Sequence, residues 1–304
     1  MIIRPMKPCK YQDWNKKFPV WGQPKLDGLR MIINEDGPQS ASGKMFPNRK
    51  LQALITETKH RMLRVDGELI DGVATAPDVY RRTMSTVMAE DADISNLHYL
   101  VFDSTYPLSW GYADRRASLE KWLGILRIKD LELAKFFQLV PQTLLRTPDE
   151  VEHFMDTCLT NGYEGAILRG LNDSYKQGRT TRNQTHLIKY KPVRTADATI
   201  IGFESWQENQ NPATLNAFGL MEHSSHQANK VEVEALGSLI CTWKDQTIKV
   251  GTGFTFQERQ LFWHDREKLL GRIIEFKYLP YGMKDKPRHP VYLRFRNKSD
   301  LTEY

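Results

Sequence analysis

Near Asp197 the texture of this chain changes, and the change limits what it can fold into. Up to that point apolar runs of strand length recur, at Met31-Ile32-Ile33, Tyr99-Leu100-Val101-Phe102 and Ala166-Ile167-Leu168, with helical stretches between them. Thr147-Pro148-Asp149-Glu150 predicts an N-cap, a proline at the first helical position and a capping-box glutamate. The helix it opens runs through Val151, Phe154, Met155 and Cys158 and stops near Gly162. A second amphipathic helix is predicted over 114–126, on Leu119, Trp122, Leu123 and Leu126. Beyond Asp197 helical periodicity is scarce. Short strand-like runs dominate, such as Thr199-Ile200-Ile201 and Ile273-Ile274-Glu275-Phe276, punctuated by Gly202, Gly219, Gly237, Gly251, Gly253, Gly271 and Gly282. Residues 207–230 are polar and read as a long loop or insertion. The expected fold is α+β in two domains: a mixed domain over 1–196 and a small antiparallel β-domain over 197–304. A length of 304 residues suits that division.

Composition narrows the functional classes. Hydrophobic residues at 40% and charged residues at 26% are those of a folded globular chain, which excludes disordered and low-complexity readings. No apolar run approaches the roughly 18 residues of a membrane helix. The segment Met1–Lys10 carries Arg4, Lys7 and Lys10 and lacks the apolar stretch of a secretory signal. Cys9, Cys158 and Cys241 are far apart and odd in number, which suits a reducing cytoplasm better than a disulfide framework. The net charge of +6 fits either a solvated basic surface or a polyanion partner. Residues 271–304 hold eight Lys or Arg against four acids, so part of the charge is concentrated there.

The chemistry centres on Lys25-Leu26-Asp27-Gly28-Leu29-Arg30. A lysine held by a turn at the mouth of a pocket can act as a nucleophile when its amine is neutral. Alone, the segment also reads as a charged surface turn. Four further pieces follow at wide spacing: Asp66-Gly67-Glu68-Leu69, Val101-Phe102-Asp103, Glu164-Gly165-Ala166-Ile167 and Leu187-Ile188-Lys189-Tyr190-Lys191. In the last piece both lysines project to one face of a strand. Acids beside glycine are usually turns, and Lys-x-Lys is usually a solvated strand face. The informative property is that all five occur in this order.

In that order the pieces resemble the motifs of the covalent nucleotidyltransferase superfamily, and specifically of the ATP-dependent DNA ligases, over nearly the whole chain. The resemblance implies a nucleotidyltransferase domain (ATP-grasp-like, adenylating) followed by a small antiparallel β-barrel of the oligonucleotide-binding (OB) type. It implies that Lys25 takes AMP from ATP, that Lys189 and Lys191 meet the α-phosphate, and that Arg30 and Glu68 lie at the ribose side. Glu164, with Glu68, would hold Mg²⁺. Phe102 would stack on adenine, and Gln23 sits where the family reads the base edge. Arg288-His289-Pro290, then Arg294, Arg296 and Lys298, resemble the C-terminal motif that closes over the β- and γ-phosphates. Tyr175-Lys176-Gln177-Gly178-Arg179 resembles the segment that places Lys176 and Arg179 at a nick in duplex DNA, with Arg182 following. The run 222–230 is similar to an insertion in small two-domain bacteriophage ligases; a cytoplasmic enzyme acting as a monomer is expected.

The chain departs from the pattern at two points. Where the family often shows Ser-Arg-x-Gly, this chain has Ser40-Ala41-Ser42-Gly43-Lys44, leaving Lys44 or Arg49 to supply that charge at the DNA. Asn297 stands where the C-terminal motif usually has Asp. Only 24 residues precede Lys25, so no N-terminal DNA-encircling domain is expected, nor a zinc site or a C-terminal interaction domain. His223 and His226 lie three apart in a polar segment and do not read as ligands. Two alternatives share part of the pattern: an mRNA-capping guanylyltransferase or RNA ligase of the same superfamily, and a non-catalytic nucleic-acid-binding protein with a degenerate first domain.

Overall fold

A computed structural model of the chain describes residues 3–34, 37–58, 64–280 and 286–296. Lys298 and Asn297 lie outside the described residues. The chain divides into two compact units, Met1–Lys191 with Asn216–Leu220, and Pro192–Leu215 with Met221–Tyr304.

The first unit is built on two five-stranded sheets. One runs in the order β2 (Cys9–Lys10), β12 (Ile188–Tyr190), β10 (Gly165–Gly170), β3 (Val20–Lys25), β9 (Thr143–Leu145). The other runs β5 (Gly37–Ser40), β4 (Leu29–Asn34), β6 (Val65–Asp71), β7 (Leu97–Ser104), β8 (Phe137–Leu139). A short parallel pair joins β1 (Met6–Lys7) to β11 (Gly178–Arg179). The apolar runs read from the sequence are the centres of β4, β7 and β10. The inward faces of β4 and β7 supply Met31, Ile33, Tyr99 and Val101 to a core completed by Leu51 and Ile55 of α1 (Arg49–Thr58) and by Leu119, Leu123 and Leu126 of α3 (Tyr112–Lys129). A second core, beneath the other sheet, holds Val20, Leu145, Val151, Leu168 and Ile188.

Both predicted helices are present. The first is α5 (Pro148–Thr160), with Thr147 accepting from the Glu150 amide. Its capping box is not closed, because the Glu150 carboxylate takes the amide of Arg146 in place of that of Thr147. The second, α3, is longer than 114–126 at both ends. No helix among the described residues is long and apolar enough to cross a membrane.

The second unit is a five-stranded antiparallel sheet in the order β17 (Gln246–Val250), β16 (Lys230–Trp243), β13 (Arg194–Asn209), β18 (Ile273–Leu279), β19 (Arg288–Phe295). Ala198, Ile200, Leu239, Cys241, Ile274 and Phe276 form its core. Three expectations change here. The sheet is not a closed barrel: β17 ends at Val250, the chain leaves for α6 (Phe256–His264), and among the described residues the two edges are linked by a parallel bridge, Thr252 to Val291, and not by a ladder. Residues 207–230 are not a plain loop. β13 and β16 stay paired out to Asn209 and Lys230, and a short hairpin of β14 (Ala213–Leu215) and β15 (Met221–His223) follows. Finally, α6 is a helix within the region read as strands. Its N-terminus is a full capping box between Thr255 and Glu258.

Candidate active site

The strand register of the first unit gathers the motif residues. Gln23 of β3 lies opposite Ile167 of β10, which lies opposite Lys189 of β12. Side chains directly across neighbouring strands share a face, so Gln23 and Lys189 belong to one row. Lys25, two residues on, lies opposite Gly165. In the other sheet Arg30 pairs with Glu68. Phe102 is the extra residue of a bulge, since Asp66 pairs with Asp103 and Gly67 with Val101. A bulge re-aims a side chain, and here it turns Phe102 toward the same place.

Two glycines permit this assembly. At Gly28, in the turn from β3 to β4, an added Cβ would sit 2.2 Å from the carbonyl oxygen of Leu69, so a side chain there would push the turn off β6. At Gly165, with φ of +153°, an added Cβ would meet the carbonyl oxygen of Tyr190 at 2.3 Å. That close approach puts Glu164 beside Lys191.

The result is a pocket of about 210 Å³ lined by Gln23, Pro24, Lys25 and Leu26, by Arg30, Glu68 and Phe102, by Ile167 and Arg169, and by Pro8 and Leu187. Glu164 is buried at 3% exposure. Its carboxylate holds Lys25 Nζ at 2.5 Å on one oxygen and Lys191 Nζ on the other. Lys189 is pushed below the ordinary lysine value, first by burial and then by the cations Lys191, Lys25, Arg179 and Lys10 around it. Burial raises Glu68 to about 7, helped by Glu164 and Asp66 and opposed by Lys25 and Arg30. The guanidinium of Arg30 donates twice to Asp66, at 2.8 and 2.5 Å, and once to the carbonyl of Met6 at 2.5 Å. Burial works against its charge, but Asp66, Tyr175 and Glu68 hold it protonated above the ordinary arginine value.

The other predicted residues lie apart from the pocket wall. Lys176 donates to Gln184, and Arg179 donates to the carbonyl of Pro8. Arg182 is exposed on the same segment. Arg49 pairs with Glu90 and Asp91 at the start of α1, and Lys44 closes a tight turn back to Ser40. In the second unit, Arg294 pairs with Glu275, Arg296 with Asp197 and Glu275, and Arg288 opens β19.

Sequence reading missed Arg169. It lines the pocket at 2% exposure, donates to Asp103, and lies 5.1 Å from the ring centre of Phe102. Asp103 also takes two bonds from buried Arg115, at 2.8 and 3.1 Å. The available signal was an arginine ending an otherwise apolar run, Ala166-Ile167-Leu168-Arg169.

Comparison with known proteins adds to this geometry. Residues 2–191 match the profile of the ATP dependent DNA ligase domain, and residues 230–296 match the DNA ligase OB-like domain. A DNA ligase of Methanosphaerula palustris is 28% identical over 271 residues, covering 78% of this chain and 45% of the relative. A DNA ligase of African swine fever virus (isolate Tick/South Africa/Pretoriuskop Pr4/1996) is 27% identical over 199 residues, covering 62% of this chain and 45% of the relative. The chain thus spans less than half the length of these curated relatives. Among solved structures, a Lig E DNA ligase shares the fold with a TM-score of 0.73 at 20% identity, over 97% of this chain and all of that one. The Chlorella virus DNA ligase-adenylate superposes with a TM-score of 0.53 at 26% identity, over 98% of this chain and 99% of that one.

Proposed function

Because the chain belongs to the ATP-dependent DNA ligase family, we propose that it seals nicks in duplex DNA through a lysine-bound AMP. The observation that carries this reading is Lys25 at the wall of a pocket, with its Nζ 2.5 Å from buried Glu164 and Lys191 on the other oxygen of the same carboxylate. An amine, a cationic row and a carboxylate are what transfer of a nucleotidyl group from a triphosphate asks for.

In the first step the Lys25 amine, once its ammonium proton has passed to solvent, attacks the α-phosphorus of ATP. An N–P bond forms, the P–O bond to pyrophosphate breaks, and the remaining extra proton on the nitrogen passes to solvent. Lys189 and Lys191 face the α-phosphate, Phe102 stacks on adenine, Gln23 reads the base edge, and Arg30 and Glu68 form the wall at the ribose. AMP then passes to the 5′-phosphate of a nick, and the 3′-hydroxyl displaces it as the phosphodiester forms. Lys176, Arg179 and Arg182, with Lys44 and Arg49, are the cations assigned to the DNA phosphates, which take charged donors well. Arg288, Arg294, Arg296 and Lys298 are assigned to the β- and γ-phosphates, in a second domain over 197–304 that follows an adenylation domain over 1–196.

The donor set fits Mg²⁺. Among the described residues no group of three or more potential ligands stands ready alone, and Mg²⁺ is commonly held by one or two carboxylates completed by substrate phosphates. Glu68 and Glu164 are those carboxylates. Bound Mg²⁺ supplies neutralisation of the phosphate charge. The protein is proposed to act as a monomer in a reducing cytoplasm, where its three free cysteines would stay reduced.

Intact-mass measurement tests the reading. The protein incubated with ATP should gain the mass of AMP and lose it again with pyrophosphate. Lys25→Ala should gain nothing, while keeping some ability to seal a nick already carrying AMP. An undiminished adduct on the variant would move the nucleophile elsewhere.

A further inference from the structure

Gln23 lines the pocket at 3% exposure, and its amide is not free to turn. An amide presents a carbonyl oxygen on one side and an NH₂ on the other, and the two are close to isosteric. Which group faces a ligand is decided by what holds the other side. Here Gln142 Nε2 donates to Gln23 Oε1 at 3.2 Å. The same NH₂ donates to the hydroxyl of Tyr112, and that hydroxyl donates to the carbonyl of Phe102 at 2.8 Å. Tyr112 is buried at 1% exposure and fixed at the start of α3. Gln142 is placed by the edge strand β9: Thr143 pairs with Gly22, so Gln142 is the next residue opposite Gln23.

This chain of donors has one direction. The Tyr112 proton is spent on Phe102, so the tyrosine oxygen can only accept from Gln142. Gln142 must therefore turn its NH₂ inward, and Gln23 must meet it with its oxygen. Flipping Gln23 would set two NH₂ groups against each other. The oxygen of Gln23 keeps a second lone pair. A purine with an exocyclic amine at position 6 can donate to it. A purine with a carbonyl there sets lone pair against lone pair.

We propose that Gln142, which does not line the pocket, is a specificity-positioning residue: through the Tyr112–Gln142–Gln23 chain it locks the Gln23 amide so that the pocket selects a 6-amino purine nucleotide over a 6-oxo one. The proposal rests on the adenylylation reading above.

The test compares kcat/KM for lysine nucleotidylation with ATP and with ITP, which carries a carbonyl at position 6. The full-length protein and its Gln142→Leu variant are followed by intact mass against time. Removing the lock lets Gln23 turn either way, so the ATP-to-ITP preference should fall about tenfold, the scale of one hydrogen bond misplaced. Tyr112→Phe, which frees the other end of the chain, should move the ratio in the same direction. A general loosening of the fold lowers the rate with both nucleotides and leaves their ratio alone, so the ratio isolates the positioning role. An unchanged ratio in Gln142→Leu, with the adduct still forming, overturns the inference and leaves the ligase reading standing. No adduct from the wild-type protein with either nucleotide overturns the ligase reading itself.

Discussion

A carboxylate set near both Arg30 and Lys25 should ionise readily, yet Glu68 is held at about 7. Burial outweighs the two cations, and Glu164 and Asp66 add repulsion. The folded value lies above the ordinary glutamate value, so the folded protein keeps a proton that the unfolded chain has already released. Ionisation is then a cost that grows as pH rises from about 4.5 to about 7 and is constant above. At this shift the cost reaches about 3 kcal/mol. Glu68→Gln never meets it. The melting temperature of that variant should be close to wild type near pH 4.5 and should exceed it by a growing margin up to pH 7. Melting curves that stay parallel across this range would show the carboxylate ionised throughout. Residues of this kind were legible in part. Lys25, Glu68, Phe102, Glu164 and Lys191 could be found because each sits in a short contiguous motif. Arg169 left one weak sign, a charge closing an apolar run, whereas Gln142 left none, because its place opposite Gln23 arises from register between strands distant in sequence.

Elements were legible where local chemistry sets them. The cap at Thr147 and the spacing of Leu119, Leu123 and Leu126 fixed two helices. The helix α6 carried an equally local sign, Thr255 with Glu258 three residues on, but glycine punctuation around it drew the reading toward strands. The reading of 207–230 as a loop failed for another reason. Its strand residues Gln207, Glu208 and Asn209 are exposed, as are their partners Glu232 and Val231, so no buried face marks the strand. What orders it is continuity with the sheet. Arg259 of α6 fastens the base, donating at 2.6, 2.9 and 2.8 Å to the carbonyls of Leu236, Gly237 and Gly251 and lying 4.2 Å from the ring centre of Trp206. We expect the arm to contact duplex DNA. Replacing 210–226 by a two-residue turn should weaken binding to a nicked duplex by about tenfold at matched salt and leave lysine adenylylation at its full rate. Equal affinity for both proteins in a salt-controlled titration would make the arm a passive surface feature.

At the scale of the whole chain, the change of texture near Asp197 coincides with a change of core. The described core residues of the first unit and those centred on Ile200, Leu239 and Phe276 form separate clusters. Such a division lets one unit keep its structure without the other. The fragment 1–196 should therefore melt cooperatively. It should not react with ATP at the full-length rate, because Arg288, Arg294 and Lys298 lie beyond it. A fragment that forms the adduct as fast as the intact protein would remove those cations from the first step. What the sequence did not convey at this scale was closure. Whether five strands meet as a barrel depends on how the first and last edges approach, and short motifs say nothing of that.

The arm built from β13 and β16 also carries a rule of inheritance. Side chains alternate sides along a strand, so a single inserted residue sends every later one to the opposite side, whereas a pair restores the original order. The chain already spends three register shifts between Ile200 and Trp206 to turn the arm out of the sheet. Beyond Trp206 the ladder runs evenly to Asn209 and Lys230. Descendants of this chain can therefore lengthen or shorten the arm past Trp206 in steps of two residues per strand without disturbing Ala198, Ile200, Leu239 or Cys241 in the core. A residue added to one strand alone would demand a new bulge.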